Sequence, residues 1–241
     1  MSDDVLEGLS GPEERHAALR SQAYATFVSA FAYPDAELVD AVRSGALADA
    51  LRDVLAAVDA SLAEGADWEA LRDAGEGDDE LAVEYTRLFD VGAAGPPCPL
   101  YGGLYTGARM KTMEEVVRFY NHFGLTMAEE PRELPDHLAT QLEFLHYLAF
   151  RETEALHEGT DPGSVRRAQR DFVARHPGRW VPLLRARVEQ QEPMPFFRAL
   201  VGALGRFLAS DSAHLVRLAG PAPTAADAPP PAPAPGRSNG G

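Results

Sequence analysis

EPRELPDHLATQLEFLHYLAFR, from Glu130 to Arg151, decides the fold class of this 241-residue chain. Leu134, Leu138, Leu142, Leu145 and Leu148 recur at spacings of three and four, and Phe144, Tyr147 and Phe150 widen the stripe. A segment patterned this way can be buried around most of its circumference, which predicts a central helix running from Pro135 to about His157. Pro135 suits the first turn, where its missing N–H would have had no helical partner. Asp136 and His137 then lie beside the free N–H groups of the helix start, a place that favours a carboxylate and disfavours a charged imidazole. A lone Asp-His pair there also reads as a plain acidic helix start.

Outward from this segment the helical period continues. It predicts helices over Pro12 to Phe31, Ala36 to Arg43, Leu47 to Leu62, Asp78 to Phe89, Met110 to Phe123, Ser164 to His176, Trp180 to Glu189 and Phe196 to about Ser210, with at best a short one over Trp68 to Arg72. Gly45 and Gly124 read as helix stops. Pro182 is placed in a first turn, where it is tolerated. No stretch alternates with period two between hairpin turns, so no strands are expected. The expectation is an all-α, single-domain multi-helix bundle of roughly eight or nine helices without a β-sheet. Residues 13–218 form the helical domain, 1–12 a flexible N-terminus, and 219–241 a disordered Ala-, Pro- and Gly-rich tail with nothing to bury.

Composition narrows the function. The formal charge is −15, and of the 22 basic residues only Lys111 is a lysine. Phosphate backbones need a basic face, so nucleic acid is not expected as a partner, whereas a basic peptide suits the balance. The same acidity also fits adaptation to high salt or simple solubility. Cys98 is the only cysteine, which leaves no internal disulfide and no cysteine-rich zinc site and fits a reducing compartment. The first residues, MSDDVLEGLS, are acidic where a secretory signal is basic, and no apolar run is long enough to span a bilayer. A cytoplasmic, soluble protein without an integral membrane segment is expected.

The candidate site starts from the long irregular stretch Asp90 to Gly107, which holds Pro96, Pro97 and Pro99 with the apolar Leu100, Tyr101, Leu104 and Tyr105. Long loops in compact domains are often functional, and these side chains either fold onto the core or wall a groove. Nucleophilic catalysis has little to build on: there is no Gly-x-Ser-x-Gly elbow, and Cys98 sits between prolines. Gly102, Gly103 and Gly107 lack the preceding strand of a dinucleotide fold. Glu-x-x-His occurs at Glu13/His16, Glu143/His146 and Glu154/His157, the form used by di-metal helical bundles. The latter two share one helix and lie roughly 16 Å apart along it, so only Glu13/His16 with one of them could form such a centre.

Two segments together resemble a known family. Glu84-Tyr85-Thr86-Arg87-Leu88-Phe89, the proline-rich loop, and Pro99-Leu100-Tyr101-Gly102-Gly103-Leu104-Tyr105 are similar to the first signature of the TorD, DmsD and NarJ redox-enzyme chaperones. Glu133-Leu134-Pro135-Asp136-His137-Leu138, continuing through Leu142-Glu143-Phe144-Leu145, resembles the Glu-Pro-x-Asp-His motif of the same family. The likeness spans about Ala17 to Asp211, departing at Gly103, where the family often has Ser, and in the proline adjoining Asp136. It implies an all-helical, cytoplasmic, non-catalytic protein without a cofactor, monomeric or dimeric. Its implied partner is the apo catalytic subunit of a molybdoenzyme of the DMSO reductase family, that subunit's twin-arginine signal peptide, or both, and the sequence looks most like chaperones of nitrate reductase-type or related type II, multi-subunit enzymes. Carried over by position, the peptide groove comprises Tyr85, Leu88, Phe89, Pro99, Tyr101, Gly102, Tyr105, Pro135, Asp136 and His137. The loop would supply aromatic walls and Asp136 a carboxylate for arginine, with Glu129, Glu130 and Glu133 steering from nearby. The competing readings are a ferritin-like di-metal enzyme and a helical scaffold without a cleft.

Overall fold

The computed structural model describes residues 8–9, 11–93, 95–107, 109–126 and 134–222. Among them there is helix but no strand, only isolated bridges at Ala93/Gly95 and Tyr101/His137, as the all-α reading expected. In chain order the helices are α1 Pro12–Ala30, α2 Ala36–Arg43, α3 Ala46–Val58, α4 Ala60–Glu64, a 3-10 turn Ala70–Arg72, and α5 Glu80–Tyr85, which runs into a π-helical turn Thr86–Asp90. There follow α6 Gly103–Thr106, α7 Arg109–His122, α8 Leu138–His157, α9 Gly163–Arg175, α10 Pro177–Glu189 and α11 Pro195–Ala219.

Local chemistry sets most of these bounds. Pro12 opens α1, and Glu14 accepts the Gly11 N–H at 3.0 Å. Asp35 caps α2 through the Leu38 N–H, and Gly45 takes φ 80° between α2 and α3, a left-handed conformation that glycine adopts without steric cost. The single helix expected over Leu47 to Leu62 is two. Asp59 turns to φ −160° and its carboxylate caps Ser61, so α3 stops and α4 starts there. Similarly, α10 begins at Pro177 rather than Trp180, which puts Pro182 inside the helix. The N–H it lacks would have met the Gly178 carbonyl, and Pro182 faces solvent, where water can serve that carbonyl instead.

The expected central helix is α8, lying along α1 as the most extensive helix pair of the fold. Small residues Ala17, Ala18 and Ala23 on α1 admit the α8 side chains Leu142, Leu145, Leu148 and Ala149, all fully buried. Beside this apolar seam runs a buried polar one. Arg20 of α1 is wholly enclosed and donates to Asp211 of α11, to Glu152 of α8 at 2.8 Å and to Gln169 of α9 at 2.6 Å. Tyr24 donates to Asp211 at 2.5 Å, and Arg166 to Glu152 at 2.6 Å. Burial would raise the Glu152 carboxyl, but Arg20, Gln169 and Arg166 outweigh it and hold the group below its ordinary value. This seam explains why α11 continues past Ser210. The expected end was near Ser210, yet Asp211 is an interior anchor, and Leu215 beyond it is buried.

Candidate functional site

The irregular stretch after the π turn is a strap pinned at both ends. At its start the Cys98 N–H donates to the Leu88 carbonyl at 2.9 Å. Further along, the Leu100 carbonyl accepts the Leu138 N–H at 2.8 Å, satisfying the first free donor of α8. The Gly102 N–H donates to the Asp136 carbonyl at 3.0 Å, which also accepts from the Gln141 side chain at 2.8 Å. The Gly103 N–H donates to Asp136 Oδ2 at 2.9 Å. Tyr101 and His137 meet edge-on, their ring centroids 5.0 Å apart. The aromatic loop therefore lies against the head of the longest-predicted helix.

That head differs from expectation. The helix starts at Leu138, not Pro135, because His137 is extended (ψ 146°) and serves as the N-cap, its Nδ1 accepting from Ala139 N–H. Asp136 is thus not a first-turn acid. Its carboxylate is drawn aside to the strap and is completely buried, so it is not presented to a passing arginine in this arrangement. Asp136 Oδ1 has no hydrogen-bond partner among the described residues.

The Gly102-Gly103 pair has a steric reason unrelated to phosphate. A Cβ on Gly102 would stand 2.7 Å from Trp180 Nε1, and one on Gly103 would stand 2.9 Å from both Arg109 Cα and Asp136 Oδ2. The strap can reach Asp136 only because it carries no side chain at these positions. Trp180 in turn donates to Gln141 at 3.1 Å and stacks on Tyr105 at 5.3 Å, while Arg187 covers the other side of Tyr105 at 4.3 Å. Trp180 and Gln141 were absent from the expected site. The signals were available: a rare tryptophan, and an amide one turn beyond His137.

The expected residues gather into neighbouring groups. Tyr101, Gly102, Pro135, Asp136 and His137 form the strap-to-helix junction, with Tyr120 donating to the Pro135 carbonyl at 2.9 Å. Tyr85 and Phe89 pack with Phe197 of α11, and Tyr33 meets Tyr85 edge-on. Leu88, Phe89, Pro99, Gly102, Asp136 and His137 are buried, whereas Tyr85, Tyr101, Tyr105 and Pro135 are half-buried. Exposed apolar side chains near the junction are Leu104 at 42% and Leu134 at 39%, and Met110 at 68% stands between exposed Arg109 and Lys111. Glu129, Glu130 and Glu133 lie outside the described residues.

The π turn has its own anchor. Glu84 takes Arg87 through Nε at 2.6 Å and a terminal nitrogen at 2.8 Å, and also accepts the Met194 N–H at 2.9 Å, while Arg87 reaches the Gln191 carbonyl at 3.2 Å. Burial pushes the Glu84 carboxyl up, but Arg87 and the Met194 N–H prevail and lower it. The α10–α11 connection is thereby tied to the element from which the strap departs. Cys98 is fully buried, and burial pushes its thiol up to about 11, which removes the thiolate that nucleophilic chemistry would need.

The Glu-x-x-His pairs do not converge. Glu13 goes to Arg166, His16 lies against the ring of His214 at 4.3 Å, His146 Nδ1 meets Ser21 at 2.8 Å, and His157 takes Glu14 at 2.6 Å. Glu143 is exposed. Among the described residues no three His, Cys, Asp or Glu side chains are placed to hold a metal. None of the described helices is long and apolar enough to cross a membrane.

The family model for the nitrate reductase delta subunit matches residues 44–186. The perchlorate reductase assembly chaperone protein of Dechloromonas aromatica is 35% identical over 139 residues, 57% of this chain and 61% of that one. The selenate reductase assembly chaperone protein of Thauera selenatis is 37% identical over 145 residues, 59% of this chain and 72% of that one. The crystal structure of a candidate redox enzyme maturation protein from Archaeoglobus fulgidus is 20% identical, covering 86% of this chain and 95% of that one with a TM-score of 0.41. The matched stretch spans 61% of the length of the first of these relatives. The family match takes in α5 and its π turn, the strap and the head of α8 together, and on that ground the chain belongs to the nitrate reductase delta subunit family, the NarJ- and TorD-like maturation chaperones.

Proposed function

We propose that this chain is a cytoplasmic assembly chaperone that binds the apo catalytic subunit of a molybdenum oxidoreductase, or that subunit's twin-arginine signal peptide, and performs no bond chemistry itself. Relatives named as reductase assembly chaperones support the partner class. The observation that carries the reading is the strap junction, where half-buried Tyr101 sits on a backbone fixed by Asp136 and the two segments that meet there carry exposed Leu104 and Leu134. An apolar face on a rigid mount suits the hydrophobic stretch of a signal peptide. The chain's net charge of −15 favours approach of its arginines.

Of the expected groove residues, Tyr101, Tyr105, Tyr85 and Pro135 contribute surface to the peptide. Leu88, Phe89, Pro99, Gly102 and His137 form the floor beneath. Asp136 acts through the strap it holds, as a positioning residue. The reading holds for a monomer or a dimer and requires neither cofactor nor nucleic acid. It is tested by co-purifying the chain with the apo catalytic subunits of candidate molybdoenzymes. Tyr101→Ala together with Leu104→Ala is expected to weaken capture at least tenfold while leaving the unfolding temperature within a few degrees, and capture unchanged by both would reject the assigned face.

A further inference from the structure

Away from the strap, the loop after α4, the α10 surface and the first half of α11 enclose a groove of about 220 Å³. Its lining includes Gly65, Asp67, Arg185, Glu189, Arg198 and Arg206. In a chain with net charge −15 a convergence of three guanidinia is unexpected and calls for local acids to balance it. The acids present fall short. Glu189 is shared between Arg185 and Arg198 at 3.7 Å from each, too far for a good hydrogen bond. Asp67 is engaged in accepting the Ala70 N–H at 3.1 Å.

Arg206 is the least compensated. Its Nε is buried and has no hydrogen-bond partner among the described residues. The guanidinium lies against backbone bared by glycine on two sides: a Cβ on Gly65 would be 3.3 Å from Nε, and one on Gly202 would be 3.8 Å from a terminal nitrogen. Burial, and then the neighbouring charge of Arg185, lower its affinity for the proton, the reverse of what a paired arginine experiences. Nε itself is closed to solvent, so what Arg206 offers the groove is its terminal nitrogens, and three guanidinia there face only Asp67 and Glu189.

We propose that this groove binds a small oxyanion ligand, its carboxylate or phosphoryl oxygens received by Arg206 with Arg185 and Arg198. Planar guanidinium forks match either group in two-point contacts, and the volume admits such a group but not a folded element. The strap junction takes no part, so this site and the peptide face stand or fall separately.

The test is titration of the full chain with sodium phosphate and, separately, sodium succinate, each against sodium chloride at matched ionic strength. Binding is followed by calorimetry and by the arginine Nε–H resonances. Saturable one-to-one binding that moves the Arg206 Nε–H signal is expected with at least one of the two anions. Saturation by phosphate alone assigns a phosphoryl ligand, by succinate alone a carboxylate, and by both a general oxyanion site. Arg206→Gln should weaken binding at least tenfold and Glu189→Gln should strengthen it. Should Arg206→Gln fail to fold, Arg185→Gln carries the same expectation. Absence of saturation with either anion, or affinity unchanged in the arginine variants, overturns the proposal.

Discussion

Replacing Asp136 separates the ways a buried carboxylate can matter at this site. In Asp136→Ala the Gly103 N–H loses its only described acceptor, a charge-assisted bond of about 1.5–3 kcal/mol, and the donor stays enclosed. Asp136→Asn keeps an acceptor where Oδ2 stands, so the Gly103 N–H stays bonded, but the bond becomes neutral and the unpartnered Oδ1 becomes a buried amide NH2, so its cost should be about 1–2 kcal/mol. For a chain of 241 residues each kcal/mol moves the unfolding midpoint by about 2–4 °C, so the Ala variant should melt about 3–12 °C low and the Asn variant about 2–8 °C low. Thermal unfolding by circular dichroism reads this difference. Binding of a twin-arginine signal peptide, followed by fluorescence anisotropy, should drop severalfold in the Ala variant, whose strap is loosened, and change less than threefold in the Asn variant. A tenfold loss in Asp136→Asn at unchanged midpoint would refute the positioning role, because the charge itself would then be meeting the peptide.

Other expectations follow from the same contacts. Gly102→Ala drives a methyl to 2.7 Å from the indole nitrogen of Trp180 and should cost about 1–3 kcal/mol by denaturant titration, with peptide binding lost in proportion. Asp211→Ala strips a counter-charge from enclosed Arg20 and should cost about 3–5 kcal/mol, seen as a lower denaturation midpoint. His176 is buried against Phe119 and Phe172 with both ring nitrogens unpartnered among the described residues, and burial, with Arg175 and Arg179, lowers it from 6.5 to about 4. The unfolded chain therefore binds a proton that the folded chain refuses between those values. The contribution of His176 to stability is complete above pH 6.5 and is lost, by about 3 kcal/mol, as the pH drops to 4, alongside that of His214, which burial and Arg20 lower likewise to about 4, and His176→Phe should flatten that part of the curve by one proton. An unchanged slope would show that His176 is hydrated in solution.

Much of this architecture could be read from periodicity because α8 and α1 bury apolar stripes at the spacing that a helix requires. The errors arose where one polar side chain overrides the apolar pattern, through a local cap or a distant partner. By capping Ser61, Asp59 breaks a helix whose apolar pattern runs on, and Asp211 anchors α11 beyond the expected end near Ser210 through Arg20, 191 positions away in sequence. At the site, the motif residues from Tyr101 to His137 do come together. Their roles were less legible: Asp136 looks like a helix-start acid and is instead a bracket for Gly103, and nothing local to Gly102 announces the Trp180 ring that forbids a side chain there. The π turn at Thr86–Asp90 was likewise invisible to a period-3.6 reading, which merges it with α5.

The most direct measurement is amide hydrogen exchange on the full chain with and without a saturating twin-arginine signal peptide. The account predicts added protection concentrated in the strap, from Cys98 to Thr106, and at the head of α8, from Leu134 to Ala139, with Tyr101→Ala abolishing it. Protection appearing elsewhere, with these segments exchanging as in the free protein, would contradict it.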